Sequence, residues 1–336
     1  MIIQLDPGIS HATKEKVLAE LRIKKLKLVD VKTQVNQYLV ALGPVDFDLR
    51  QIGHLDGIHD IHVVNDTYQL VSKKWKTSPT VIDLGDGIKI GSGDLSLMAG
   101  PCSIESEEKT EEIAQFLASQ GIRIMRGGVF KPRSSPYSFR GSGIEGLKMF
   151  YKVCQKHGIR IISEVMQVSQ IAEMYDYVDV YQVGARNTQN FNLLDELGKV
   201  DKPVLIKRGI SGTVDELLQS AEYVFSGGNE KLILCERGIR TYETSSRNTL
   251  DLNSIPILKE KSHLPVLVDP SHGIGIREYV EPMALAGLAA GADGIIFEMH
   301  QQPEEATSDG AQTLNFEETS QLVKRLRALD ELRRRW

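Results

Sequence analysis

Four residues of this chain, Cys102, His272, Glu298 and Asp309, are of the types that bind a divalent metal. A thiolate and an imidazole suit Zn²⁺, Fe²⁺ or Co²⁺, and two carboxylates also admit Mn²⁺, so the set does not choose among these ions. The four are far apart along the chain, and spacing alone makes the metal reading weak. Taken one at a time, each has an ordinary reading. Cys102 can be a buried apolar thiol, and His272 a loop histidine after Pro270. Glu298 can be a carboxylate paired with a nearby cation, and Asp309 a turn residue in the 307–310 loop.

A second set is cationic: Arg126, Lys131, Arg133, Arg186, Lys207, Arg208 and Arg237. Guanidinium forks match phosphate and carboxylate oxygens, and lysine adds a point charge. Gathered in one place, so many cations repel one another unless anions join them. That implies a doubly or triply anionic substrate, and more than one. The ordinary alternative is a set of surface ion pairs with Glu164, Glu236 and Asp269 as partners. Against it, Lys207 and Arg237 lie directly beside apolar runs.

Something must bring these residues together. Eight apolar runs occupy 95–99, 122–125, 160–163, 180–183, 204–206, 232–234, 266–268 and 294–297. Helical stretches such as 111–119, 146–157, 214–225 and 277–290 separate them, and 316–334 follows the last. Near-continuous apolar strands alternating with helices indicate buried parallel strands. Eight such units fit a closed (β/α)₈ TIM barrel better than a doubly wound open sheet, the runner-up. Each run is followed by reactive types: Cys102, Arg126, Glu164, Gly184-Ala185-Arg186, Lys207-Arg208, Glu236-Arg237, Asp269 with His272, and Glu298 with His300. In a barrel they converge on the C-terminal mouth, where catalysis sits. Eight strand ends with charged or metal-capable groups are hard to explain as stability features.

Residues 1–64 read as a separate unit. Strands are expected at 2–5, 26–31, 37–42 and 58–64, with helices at 10–22, capped by Ser10, and at 46–54. The order βαββαβ is the ferredoxin-like, split βαβ pattern. Such a unit can belong to the catalytic body or sense a ligand, and the pattern supports both. Residues 65–80, with Lys73-Lys74-Trp75-Lys76 and Ser78-Pro79, read as a linker, and the barrel as 81–336. At its start, 81–84 and 88–91 flank Asp86-Gly87, a type I′ hairpin signal.

Bulk properties narrow the function classes. The net charge of −5 argues against non-specific binding to nucleic acid or to anionic membrane. Three cysteines, Cys102, Cys154 and Cys235, are odd in number and far apart, so a reducing compartment is expected rather than a disulfide framework. No apolar run approaches membrane-spanning length, and the N-terminus MIIQLDPGIS lacks the regions of a signal peptide. A cytoplasmic protein is the expectation. Gly141, Gly143 and Gly146 spell a formal G-x-G-x-x-G, with Glu164 at about the acidic-residue distance. A dinucleotide site needs its first glycine directly after a strand, and the polar 130–140 loop intervenes, so a nicotinamide site is rejected. Asn253 and Ser254 before Pro256 read as an ordinary helix start.

Seven motifs, taken in order, resemble the class I DAHP synthases, and their Iβ branch in particular. They are Met98-Ala99-Gly100-Pro101-Cys102-Ser103, the run Arg126-Gly127-Gly128-Val129-Phe130-Lys131-Pro132-Arg133-Ser134, Gly184-Ala185-Arg186-Asn187, Leu205-Ile206-Lys207-Arg208-Gly209, Cys235-Glu236-Arg237-Gly238, Asp269-Pro270-Ser271-His272, and Glu298-Met299-His300. The resemblance covers 81–336. The first 64 residues are similar to the ferredoxin-like regulatory domain of some members. Lys131-Pro132-Arg133-Ser134 resembles the DAHP synthase pattern; the sibling KDO8P synthases have Lys-Ala-Asn-Arg-Ser there. Members without a metal tend to replace the cysteine by asparagine, so Cys102 points to the metal-dependent form.

The resemblance implies condensation of phosphoenolpyruvate with erythrose 4-phosphate, the entry into the shikimate pathway. It assigns one divalent ion to Cys102, His272, Glu298 and Asp309. It places phosphoenolpyruvate on Arg126, Lys131, Arg186, Lys207, Arg237 and the Ala185 N–H. Lys131, Pro132, Arg133 and Ser134 match the aldose-phosphate loop, and Asp269 a residue near the sugar end. Lys131 is then the candidate proton donor to the developing alkoxide, with a simple phosphate clamp as its alternative. Tyrosine or phenylalanine is expected to bind the 1–64 unit and close it over the barrel mouth, and a homotetramer is expected. Two other functions compete: KDO8P synthase, with arabinose 5-phosphate as acceptor, and an inactive amino-acid-sensing regulator.

Overall fold

The computed structural model describes residues 1–131, 137 and 139–335. The first strands are β1 (Ile2–Leu5), β2 (Lys27–Lys32), β3 (Gln37–Leu42) and β4 (Ile58–His62), with helices α1 (His11–Ile23) and α2 (Arg50–Gly53). They form one sheet in the order β2-β3-β1-β4, every neighbour antiparallel. Side chains alternate between its faces. Ile3, Leu5, Leu39 and Ala41 pack with Val17 and Leu21 of α1 and Ile52 of α2. Ile2, Val31, Tyr38 and Val40 join the large core of the rest of the molecule. Ser10 caps α1 through a 3.1 Å bond accepted from Thr13 N. The helix expected over 46–54 is only the single turn α2. Asp48 instead accepts from Arg50 N at 3.0 Å, a local turn that competes with helix propagation.

A hairpin follows, β5 (Ile82–Asp83) with β6 (Lys89–Ile90). Asp86 (φ 51°) and Gly87 (φ 74°) both have the positive φ that a type I′ turn demands. The barrel strands are β7 (Ser96–Gly100), β8 (Ile124–Arg126), β9 (Arg160–Glu164), β10 (Val180–Val183), β11 (Val204–Lys207), β12 (Leu232–Glu236), β13 (Val266–Val268) and β14 (Gly294–Glu298). They close into a parallel barrel, β14 pairing with β7. Around it run α3 (Glu107–Ser119), α4 (Gly143–Lys156), α5 (Val168–Met174), α6 (Phe191–Leu197), α7 (Val214–Ser226), α8 (Ser254–Lys261), α9 (Pro270–Ile274), α10 (Arg277–Ala289) and α11 (Phe316–Arg333). The start of α4 lies well beyond the end of β8, as the rejection of a dinucleotide site required.

Interior residues from all eight barrel strands, such as Met98, Ile124, Ile162 and Val180, meet Ile82, Ile88 and Ile90 of the hairpin in a single cluster. The hairpin therefore stoppers the N-terminal end of the barrel. Arg160, which starts β9, donates to Leu84 O at 2.9 Å, and Ser96, which starts β7, to Lys89 O at 3.2 Å. At the other end Gly100 (φ 155°) lets β7 approach β8, since a Cβ there would lie 2.1 Å from Arg126 O.

The 65–80 segment is packed rather than a free linker. Tyr68, Leu70, Val71 and Trp75 are buried, and Leu70 N and Val71 N donate to the Glu222 carboxylate of α7. The small sheet contacts the barrel through loops that lead into β11 and β12: Gln34 Nε2 donates to Val200 O at 3.2 Å and Thr33 Oγ1 to Glu230 at 3.1 Å. These loops lie at the N-terminal end. The 1–64 unit thus touches the barrel here at the end away from its mouth. Among the described residues no helix is long and apolar enough to cross a membrane.

Candidate metal centre and anion pocket

The barrel brings Cys102, Glu298 and Asp309 together. Each offers a ligand atom, and the three atoms lie within 4.8 Å of one another. Cys102 follows β7, Glu298 is the last residue of β14, and Asp309 lies on the loop beyond it. Asp309 takes a left-handed backbone (φ 52°), uncommon outside glycine but tolerated by aspartate. His272 stands beside this trio, its Nε2 3.4 Å from Glu298 Oε1 and 4.0 Å from Asp309 Oδ2.

Asp269 sets the imidazole. It is the N-cap of α9, accepting from His272 N at 3.0 Å through Oδ1 and contacting His272 Nδ1 at 2.7 Å through Oδ2. Lys207, at the end of β11, pairs with the same Oδ2. Asp269 is fully buried, which by itself raises its pKa; His272 and Lys207 nevertheless hold it well below the usual carboxylate range. It is thus a support beneath the site, and not among the residues lining the pocket. Burial lowers the His272 pKa against the pull of Asp269 and Glu298, which favours the neutral ring that a ligand must offer.

The donor chemistry fits a divalent ion. Burial, then Glu298, pushes the Cys102 thiol up to about 11, with Lys131 opposing. Its neighbours include two carboxylates, Glu298 and Asp309, and two cations, Arg126 and Lys131. Arg126 Nη1 donates to Glu298 Oε1 at 3.0 Å, and Lys131 Nζ to Cys102 Sγ at 2.9 Å. A cation among these donors relieves their mutual repulsion and favours the thiolate. Asp269 on Nδ1 leaves Nε2 toward the cluster, the arrangement by which carboxylates orient metal-bound imidazoles.

Beside this cluster opens a cavity lined by Arg126, Lys131, Ala185, Arg186, Lys207 and Arg237, the residues that the resemblance assigns to phosphoenolpyruvate. His272 and Asp309 share its wall. Arg237 is nearly buried, and burial lowers its pKa. Arg208 does not belong to this set: it is spent on an ion-pair network with Glu236 (2.9 Å) and Asp251 (2.7 Å). Glu236 is equally structural, accepting from Gly238 N and Ser254 Oγ. Pro132, Arg133 and Ser134 lie outside the described residues.

Sequence reasoning missed Arg240 and Arg247, which also line the cavity. Both sit on the connection after β12, where Ile239 and Thr249 exchange backbone hydrogen bonds of 3.0 and 2.9 Å. Only their charge could have flagged them, since no strand precedes either directly. The site can therefore hold polyanions against a metal-capable cluster, with an ammonium, that of Lys131, between the two.

Comparison with known proteins agrees with this geometry. The model of the DAHP synthetase I family matches residues 74–334. A phospho-2-dehydro-3-deoxyheptonate aldolase of Thermotoga maritima is 43% identical over 330 residues, covering 98% of this chain and 97% of the relative. A 2-dehydro-3-deoxyphosphooctonate aldolase of Syntrophobacter fumaroxidans is 34% identical, over 71% of this chain and 88% of the relative. A crystal structure of the Thermotoga maritima DAHP synthase superposes with a TM-score of 0.79 at 42% identity, over 98% of this chain and 97% of that one. Its truncated form gives 0.74 at 45% identity, over 79% and 97%.

Proposed function

The chain belongs to the DAHP synthetase I family, and on that premise we infer how its barrel mouth works. The protein is a divalent-metal-dependent transferase that condenses phosphoenolpyruvate with erythrose 4-phosphate and water, giving DAHP and phosphate. This is the first step of the shikimate pathway to the aromatic amino acids. The observation that carries the mechanism is the Cys102, Glu298 and Asp309 cluster set against a cavity walled by Arg126, Lys131, Arg186, Lys207 and Arg237.

The reading of roles is as follows. A divalent ion on Cys102, His272, Glu298 and Asp309 would act as a Lewis acid on the aldehyde or orient the attacking water. Arg126, Arg186, Lys207 and Arg237, with the Ala185 N–H, hold phosphoenolpyruvate, and Lys131-Pro132-Arg133-Ser134 the acceptor. Holding both anions within reacting distance lowers the barrier by orientation. C3 of phosphoenolpyruvate bonds to the aldehyde carbon, whose oxygen takes a proton from Lys131. Water adds at C2, and phosphate leaves with cleavage of its C–O bond. Asp269 acts through His272 as a positioning residue.

The test is product formation after EDTA treatment and after Mn²⁺ is restored. Loss and recovery support the reading; indifference to a chelator that demonstrably strips the metal refutes the metal role. Faster turnover of arabinose 5-phosphate than of erythrose 4-phosphate would instead assign the octulosonate reaction.

Finer features are proposed on the same resemblance. Residues 1–64 are a ferredoxin-like regulatory domain that binds tyrosine or phenylalanine, 65–80 joins it to the catalytic barrel of 81–336, and the branch is Iβ. The strand order β2-β3-β1-β4 supports the domain assignment. Inhibition by both amino acids that survives deletion of 1–64 would refute the regulatory role. A cytoplasmic homotetramer is proposed as well. Three unpaired cysteines support the compartment, and the exposed Phe191–Tyr223 pair offers apolar surface for assembly. A monomer by sedimentation would overturn the tetramer.

A further inference from the structure

We propose that Gln312 is a positioning residue of the metal centre, holding Glu298 directly and Asp309 through Arg247. The inference rests on the reading of Cys102, His272, Glu298 and Asp309 as the metal ligands. Gln312 is only 3% exposed, yet both ends of its amide are engaged. Its Nε2 donates to Glu298 Oε2 at 2.7 Å, and its Oε1 accepts from Arg247 Nη1 at 2.8 Å. The same Arg247 Nη1 lies 3.6 Å from Asp309 Oδ1.

The backbone places Gln312 for this task. It closes the one-turn helix Gly310–Gln312 that begins immediately after Asp309. Beyond it Leu314 is pinned along the end of β14, its N–H donating to Glu298 O and its carbonyl accepting from His300 N. A residue in that turn therefore stands between the carboxylate on the strand and the carboxylate on the loop.

Its chemistry suits the place. With Oε2 of Glu298 held by the amide, the carboxylate can turn only one oxygen, Oε1, toward His272 Nε2 and Arg126. An amide donates to a carboxylate without neutralising it, as a lysine would, and accepts from a guanidinium without adding a negative charge, as a glutamate would. Glu298 stays anionic and oriented. Arg247, which lines the anion cavity, is tied to the loop that carries Asp309.

The experiment is a Co²⁺ titration of the full chain, read by the thiolate-to-cobalt absorption of Cys102 in competition with a chelator. Gln312→Met is expected to weaken Co²⁺ by about 10- to 100-fold, the usual effect of losing such an outer contact. The Mn²⁺ concentration for half-activation should rise in step, while the melting temperature of the metal-free protein stays put. Arg247→Met, at a side chain that is 35% exposed, is expected to weaken Co²⁺ several-fold. Gln312→Met binding Co²⁺ as tightly as the unaltered chain overturns the proposal. Should that variant not fold, unchanged affinity in Arg247→Met overturns it instead. Absence of the cobalt–thiolate band in the unaltered chain would sink the ligand reading itself.

Discussion

His272 Nδ1 lies 2.7 Å from Asp269 Oδ2, and this contact decides that Nε2 is the nitrogen facing Glu298 and Asp309. Asp269 also neutralises the buried Lys207. Replacing it by asparagine leaves that ammonium without its counter-charge. Asp269→Asn is expected to destabilise the fold by about 3–5 kcal/mol, the usual effect of breaking a buried pair. It should also raise the Mn²⁺ requirement. Urea denaturation and a Mn²⁺ activation curve measure the two effects, and an unchanged midpoint would show that the pair is not needed.

Lys131 bridges the two halves of the site, donating to Cys102 Sγ while lining the anion cavity. Lys131→Met is expected to lower kcat by about 10²–10⁴-fold, the range for a lost general acid. Lys131→Arg separates the roles. A guanidinium keeps the charge but is a far poorer proton donor, so a pure clamp would regain most of kcat in that variant. The prediction is that it does not, with KM for phosphoenolpyruvate closer to normal than kcat.

Ile90 is fully buried in the barrel interior, on the hairpin that stoppers the end remote from the mouth. Ile90→Ala is expected to cost about 2–5 kcal/mol of stability through the cavity it leaves. Its kcat and KM should match those of the parent at a temperature where both are folded. A changed KM would mean that the plug reaches the active site.

A third expectation about stability concerns pH. His263 packs against Trp75 and Phe225; its Nδ1 lies 2.8 Å from Thr80 Oγ1 and its Nε2 2.9 Å from Leu70 O. Burial, reinforced by Lys76, lowers its pKa from 6.5 to about 3. Between these values the unfolded chain binds a proton that the folded chain refuses, so stability from this group falls as pH drops from 6.5 toward 3. His263→Gln should be less stable than the parent at pH 7, and the gap should narrow as pH falls. A gap constant across that window, in paired urea titrations, would refute the buried neutral imidazole.

Much of this was legible in the amino-acid order. A parallel strand covered on both faces must be apolar throughout, so all eight barrel strands announced themselves, and the reactive types that follow the apolar runs pointed to the mouth. Arg126, Glu164, Lys207 and Glu298 end their strands, which is why charge after an apolar run located the site. The ligand types Cys102, His272, Glu298 and Asp309 could be named but not joined, because periodicity reports local burial and carries no distance between residues 200 positions apart.

Barrel closure supplied those distances. It paired β14 with β7 and so laid Glu298 beside Cys102. It also decided which cations meet substrate. Arg208 and Lys207 are neighbours in sequence, yet one is consumed by Glu236 and Asp251 while the other reaches the cavity. Arg240, Arg247 and Gln312 lie on irregular connections, whose course follows from contacts with other segments. The 46–54 helix shrank and the 65–80 linker became core for the same reason. Local pattern sets how a segment buries itself, and only the assembled fold sets what it is buried against.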